Sequence, residues 1–138
     1  MDEARFQAAA AALREGRPVV FPTDTVYGIG VATAHAAGPG ALYAAKGRPA
    51  SKPIPWLVGS MADLERYGQG VPGYARELAS EGWPGPLTLV VRASSAVPEA
   101  YRSAEGTIAL RMPGSSEALA LMDAVGCPLA TTSANLSG

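Results

Sequence analysis

An α/β sheet fold is predicted by three observations. Segments of helical periodicity alternate with short apolar runs. Several of those runs are continuous rather than strictly alternating, as in strands covered on both faces. Some connections look too short or irregular for a helical crossover, so strand directions are expected to be mixed.

At the start, Phe6, Ala9, Ala10 and Leu13 fall on one helical face, Asp2 is the expected cap, and Gly16 with Pro18 stops the helix. The apolar run 19–21 follows as a strand. Residues 41–46 read as a short helix stopped by Gly47 and Pro49, and 54–58 as a buried strand. Ser60 with Asp63 three residues on resembles a capping box for a helix reaching Tyr67. Pro72 suits the first turn of another, ending near Glu81. Trp83-Pro84-Gly85-Pro86 is then a rigid turn. Strands are expected at 87–92 and 107–112, joined by an irregular connection. Ala118, Leu121, Met122 and Val125 form the stripe of a last helix closed by Gly126, and Leu129 and Ala130 a final short strand.

The 138 residues match the usual size of one domain, and neither a repeat nor a linker interrupts them. An apolar share of 48% with 17% charged residues is ordinary for a globular chain, and no apolar run approaches the roughly 18 residues of a membrane span. The alanines near the start are flanked by Asp2, Glu3 and Arg14, which argues against an export signal. Cys127 is the only cysteine, so an internal disulfide and a cysteine-rich zinc cluster are excluded, and a reducing cytoplasm is the expected compartment. With 11 basic and 12 acidic residues the net charge is −1, so any anion site has to be local.

Several catalytic signatures are absent from the sequence: GxxxxGK[ST], HExxH and CxxC. His35 is the sole histidine and lies in an alanine- and glycine-rich stretch, a poor place from which to recruit a general base. Cys127 reads as a small core residue. Lys46, Arg48 and Lys52 place three cations within seven residues, pinned by Pro49 and Pro53. They fit either an anion grip or a solvated helix end. On the strand 107–112, Ile108, Leu110 and Met112 point to one face and Thr107, Ala109 and Arg111 to the other. Arg111 therefore needs either an anion or water, and its planar fork suits a carboxylate or phosphate. Thr131, Thr132, Ser133, Asn135 and Ser137 make a ligand-accessible loop or a polar tail. Thr23, Asp24 and Thr25 make a site or merely a turn.

Together, Pro22-Thr23-Asp24-Thr25-Val26-Tyr27-Gly28, Lys46-Gly47-Arg48-Pro49 with Lys52-Pro53, Trp83-Pro84-Gly85-Pro86-Leu87-Thr88, Arg111-Met112-Pro113 and Ser133-Ala134-Asn135-Leu136-Ser137-Gly138 resemble the YrdC/Sua5 family. The resemblance implies an open twisted sheet of the YrdC/RibB-like kind with a basic concave face. It also implies an ATP-dependent L-threonylcarbamoyladenylate synthase, which joins threonine, bicarbonate and ATP into threonylcarbamoyl-AMP and pyrophosphate for tRNA modification. By motif position, Lys46 and Arg48 are the catalytic cations. They bind ATP with Lys52, Thr107, Ser133 and Asn135, while Thr25, Leu57, Arg111 and Thr131 hold the threonine. Mg²⁺ is expected with the triphosphate, without an assigned protein ligand. Family members continue past the Ser-Ala-Asn-Leu-Ser-Gly motif, so residues 1–138 are expected to be a single domain lacking the family's C-terminal portion. A double-stranded RNA or tRNA-binding module and a catalytically impaired regulatory homologue are the rival readings.

Overall fold

The computed structural model describes residues 1–46 and 54–134. Helix α1 (Glu3–Arg14) is capped by Asp2, whose carboxylate accepts the Arg5 N–H at 2.8 Å and satisfies a donor that a helix start leaves free. Gly16, at φ +79°, turns the chain away. There follow β1 (Val19–Phe21), β2 (Gly28–Ala32), α2 (Gly40–Lys46), β3 (Trp56–Leu57), α3 (Asp63–Tyr67) and α4 (Gly73–Gly82). Then come β4 (Leu89–Arg92), a single 3₁₀ turn (Glu99–Tyr101), β5 (Thr107–Arg111), α5 (Ser116–Val125) and β6 (Leu129–Ser133).

The strands form one six-stranded sheet in the order β1-β2-β6-β3-β5-β4. Among the described strands only β3 and β5 run parallel; every other neighbouring pair is antiparallel. The expected mixed sheet is therefore present. Strand β6 lies between β2 and β3, with Thr131 opposite Gly30 and Ala130 opposite Trp56.

Each face of the sheet carries its own core. On one, Trp56, Leu110, Ile108, Leu89 and Val91 pack with side chains of α2, α3 and α4, and the Trp56 ring meets Tyr67 and Tyr101 edge-on at 5.2 and 5.3 Å. On the other, Phe21, Leu57 and Leu129 pack against α1 and α5. No described side chain of β4 or β5 belongs to that second core. The β4–β5 wing thus keeps one bare face, where Val90 is 68% exposed.

Five elements differ from expectation, and the first is β6, which runs on through residues 131–133 where a hydroxyl-rich loop was expected after Ala130. Strand β2 lies where the sequence reading assigned no element, because Gly28 and Gly30 weaken the local strand signal. Strand β3 is shorter than 54–58, and Pro55 within that run has no N–H to give a ladder. Strand β4 starts at Leu89, since the Leu87 carbonyl instead accepts the Trp83 indole N–H at 2.8 Å. At α3 the Ser60 hydroxyl is not the cap; the Asp63 carboxylate accepts the Gly59 N–H at 3.1 Å. Helix α5 closes as expected on Gly126, at φ +75°, whose N–H reaches the Met122 carbonyl at 2.8 Å.

The glycines of β2 have a packing reason. A Cβ on Gly30 would lie 2.7 Å from Thr131 Oγ1 and 2.9 Å from the Ala130 carbonyl oxygen, and one on Gly28 would lie 2.7 Å from Thr131 Cγ2. Gly30→Ala is expected to destabilise by about 1–3 kcal/mol in urea unfolding, because backbone must shift to admit the methyl. Gly73→Ala, where an added Cβ meets nothing within 4 Å, should change stability by no more than about 0.5 kcal/mol.

Candidate functional site

A cleft of about 300 Å³ opens where the ends of β2, β3, β5 and β6 meet the 22–27 loop, and Thr25, Leu57, Arg111, Thr131 and Ser133 line it. Its walls divide by chemistry. Leu57 and Val26 are apolar, the threonines and Ser133 supply hydroxyls, and Arg111 supplies a cation. Thr131 is nearly buried and its hydroxyl donates to the Leu129 carbonyl at 3.1 Å. Thr23 shapes the loop: its hydroxyl donates to the Val26 carbonyl, accepts the Thr25 N–H at 3.3 Å and lies 3.2 Å from the Thr25 hydroxyl. The loop is thus both a local turn and a wall of the cleft.

Arg111 ends β5 on the face opposite Ile108 and Leu110, as alternation requires. Its Nε–H donates to the Gly85 carbonyl at 2.8 Å and its Nη2 to Asp24 Oδ1. The side chains of the pair are only 13% and 18% exposed, so water screens them little. Gly85 is itself tied to the strand end, its N–H meeting the Met112 carbonyl at 2.8 Å. The rigid turn around the cis Trp83–Pro84 bond thereby backs the arginine. Burial disfavours the charged form of Asp24, but the Gly114 N–H and the Arg111 guanidinium outweigh it and hold the carboxyl below its ordinary range.

The structure gathers Thr25, Leu57, Arg111, Thr131 and Ser133 into one cleft. Thr107 stands apart from them: it shares the bare face of β5 with Arg111, but four residues away, roughly 13 Å along the strand. Its hydroxyl pairs with that of Ser103 at 2.6 Å. Lys46 is the last residue of α2. Arg48, Lys52 and Asn135 lie outside the described residues. His35 packs elsewhere, a ring nitrogen 3.2 Å from the Val125 carbonyl, and Cys127 is a partly buried neighbour of the second core. Asp24, which the sequence left between a site and a turn, is the anion that pairs with Arg111. The signal for it was Arg111 itself, a strand-face guanidinium that required an anion.

An α/β sheet domain with a guanidinium, flanking hydroxyls and a small apolar wall at its strand ends has the chemistry to suit a small anionic molecule. The chain belongs to the Sua5/YciO/YrdC family, whose model, carrying the description "Telomere recombination", matches residues 11–138. Among its relatives is the threonylcarbamoyl-AMP synthase of Pyrococcus abyssi, 40% identical over 138 residues, which are 100% of this chain and 41% of that protein. A putative threonylcarbamoyl-AMP synthase of Mycobacterium leprae is 47% identical over 130 residues, 94% of this chain and 59% of that one. The crystal structure of P. abyssi Sua5 complexed with L-threonine superposes with a TM-score of 0.91 at 40% identity, covering 100% of this chain and 41% of that one. E. coli YciO shares the fold, with a TM-score of 0.82 at 24% identity over 95% of this chain and 64% of its own. The chain thus spans between about two-fifths and three-fifths of the synthases named here.

The Asp24 pairing carries a pH signature. Because its folded-state pKa lies below the ordinary 3.8, the pair stabilises the fold fully above that value, and the increment is lost as pH falls through the folded pKa. Acid unfolding followed by tryptophan fluorescence should show the wild type losing stability below about pH 4 more steeply than Asp24→Asn. Parallel curves would count against the pairing.

Proposed function

We propose that this chain carries the catalytic domain of an L-threonylcarbamoyladenylate synthase. The observation that carries the reading is the coincidence of two things: a cleft joining one guanidinium, threonine hydroxyls and the Leu57 wall, and a close structural match to a relative solved with L-threonine. In this reading Arg111 pairs with the amino-acid carboxylate, while Thr25, Leu57 and Thr131 enclose the small β-hydroxy side chain. Lys46, Arg48 and Lys52 hold the triphosphate, with Thr107, Ser133 and Asn135 completing the nucleotide site. The bare β4–β5 face supports this arrangement, because a nucleotide lying along it from the Arg111 end reaches Thr107.

The reaction proceeds without a protein nucleophile. The threonine amine and bicarbonate condense to a carbamate with loss of water; a carbamate oxygen attacks the α-phosphorus, and the bond from that phosphorus to the pyrophosphate oxygen breaks. Two anions must approach in line, so fixed cations are needed both to offset repulsion and to stabilise the departing pyrophosphate. Holding the reactants in register supplies much of the remaining acceleration. Magnesium would arrive on ATP; no group of three or more histidine, cysteine or acidic residues suited to a metal occurs among the described residues, and no protein ligand is assigned to it. The product would pass to a tRNA-modifying transferase in the cytoplasm. None of the described helices is long and apolar enough to cross a membrane.

Pyrophosphate release from ATP is expected to require both L-threonine and bicarbonate, and Arg48→Ala should abolish it in a protein that still folds. Arg111→Ala should weaken threonine binding at least about tenfold in calorimetric titration. Release that ignores either co-substrate would sink this assignment.

A further inference from the structure

We infer that Asp24 is a positioning residue for amino-acid recognition: it fixes the Arg111 guanidinium so that its outer N–H edge faces a substrate carboxylate in the cleft. The inference rests on the threonine-binding reading of that cleft. Three observations lead to it.

First, Thr23 and Thr25 line the cleft whereas Asp24 between them does not. The carboxylate pairs with Arg111, which does line the cleft, and so acts on a ligand through the arginine. Second, the guanidinium is held at two points by different segments, through Nε on the Gly85 carbonyl and through Nη2 on Asp24. A planar group fixed at two edges keeps one rotational setting, and its remaining donors point in a determined direction. Third, Asp24 is itself secured. Gly114 packs against its carboxylate, so that a Cβ there would lie only 3.1 Å from Oδ2, and the Gly114 N–H favours the charged form. The adjoining Ser115 hydroxyl donates to the Pro22 carbonyl at 3.1 Å, clamping the 113–115 loop to the segment that carries Asp24.

An ion pair that served stability alone would not care about the ligand's chemistry. A positioning pair would, because aiming the guanidinium matters only for a ligand with a carboxylate to meet it. L-threonine and L-threonine amide separate the two cases, since the amide keeps the side chain and the amine but lacks the anion.

The test is calorimetric titration of wild type, Asp24→Asn and Gly114→Ala with L-threonine, L-threonine amide and ATP. Wild type should prefer threonine to the amide. Asp24→Asn should lose at least about tenfold in threonine affinity while amide and ATP affinities hold, narrowing the preference. Gly114→Ala, whose added Cβ meets Asp24 first and which does not line the cleft, should lose roughly threefold in the same selective way, so a poorly folding Asp24 variant does not remove the test. Unchanged threonine affinity in both variants, or an equal fall for threonine, amide and ATP, overturns the positioning role and leaves the synthase reading standing. A wild type that binds no threonine, or that does not distinguish it from the amide, overturns the reading of the cleft and the inference with it.

Discussion

The insertion of β6 between β2 and β3 is the constraint on which the rest of the molecule depends. It requires Thr131 to lie against the backbone of β2, and two glycines make that approach possible. With β6 in place, Thr131 and Ser133 reach the same strand ends as Leu57 and Arg111, and the 22–27 loop closes over them. Without the close approach the hydroxyls would be pushed off the sheet. The same contact that completes the hydrogen-bond ladder therefore builds a wall of the cleft.

A second consequence of the sheet order is the uneven cover of its two faces. Helices α1 and α5 protect β1, β2, β6 and β3, while the β4–β5 wing is packed on one side only. Arg111 sits at the boundary between covered and bare sheet. There it is buried enough for its pairing with Asp24 to be strong and open enough to meet a solute. A deeper guanidinium would need its whole charge compensated by the protein, and a fully exposed one would be screened and mobile.

Much of this was legible in the sequence, and the reasons are local. The alternation of Thr107 to Arg111 predicted which side of β5 the arginine takes, and Gly126 marked a helix end, because period and left-handed glycine are properties of a few consecutive residues. Strand β2 was not legible. Gly28-Ile29-Gly30 looks like a loop until Thr131, a hundred residues later, supplies the reason for having no side chain there. Leu57 entered by family resemblance rather than by its own chemistry, since an apolar residue in an apolar run says nothing about a ligand. The pairing of Asp24 was hidden similarly: a carboxylate in a Thr-Asp-Thr turn satisfies its own backbone so readily that its distant partner leaves no trace in spacing. Arg48, Lys52 and Asn135 lie outside the described residues and stay as readings from motif alone.

The central strand comes late in the chain. As the polypeptide leaves the ribosome, β1 and β2 can pair as one ribbon and β3, β5 and β4 as another, but no strand pairing joins the two until residues 129–133 emerge. During that interval β2 and β3 each present an open edge to any passing strand. Synthesis thus contains a vulnerable window in which misassembly competes with completion, and its length is set by how quickly α5 and the segment after it are translated.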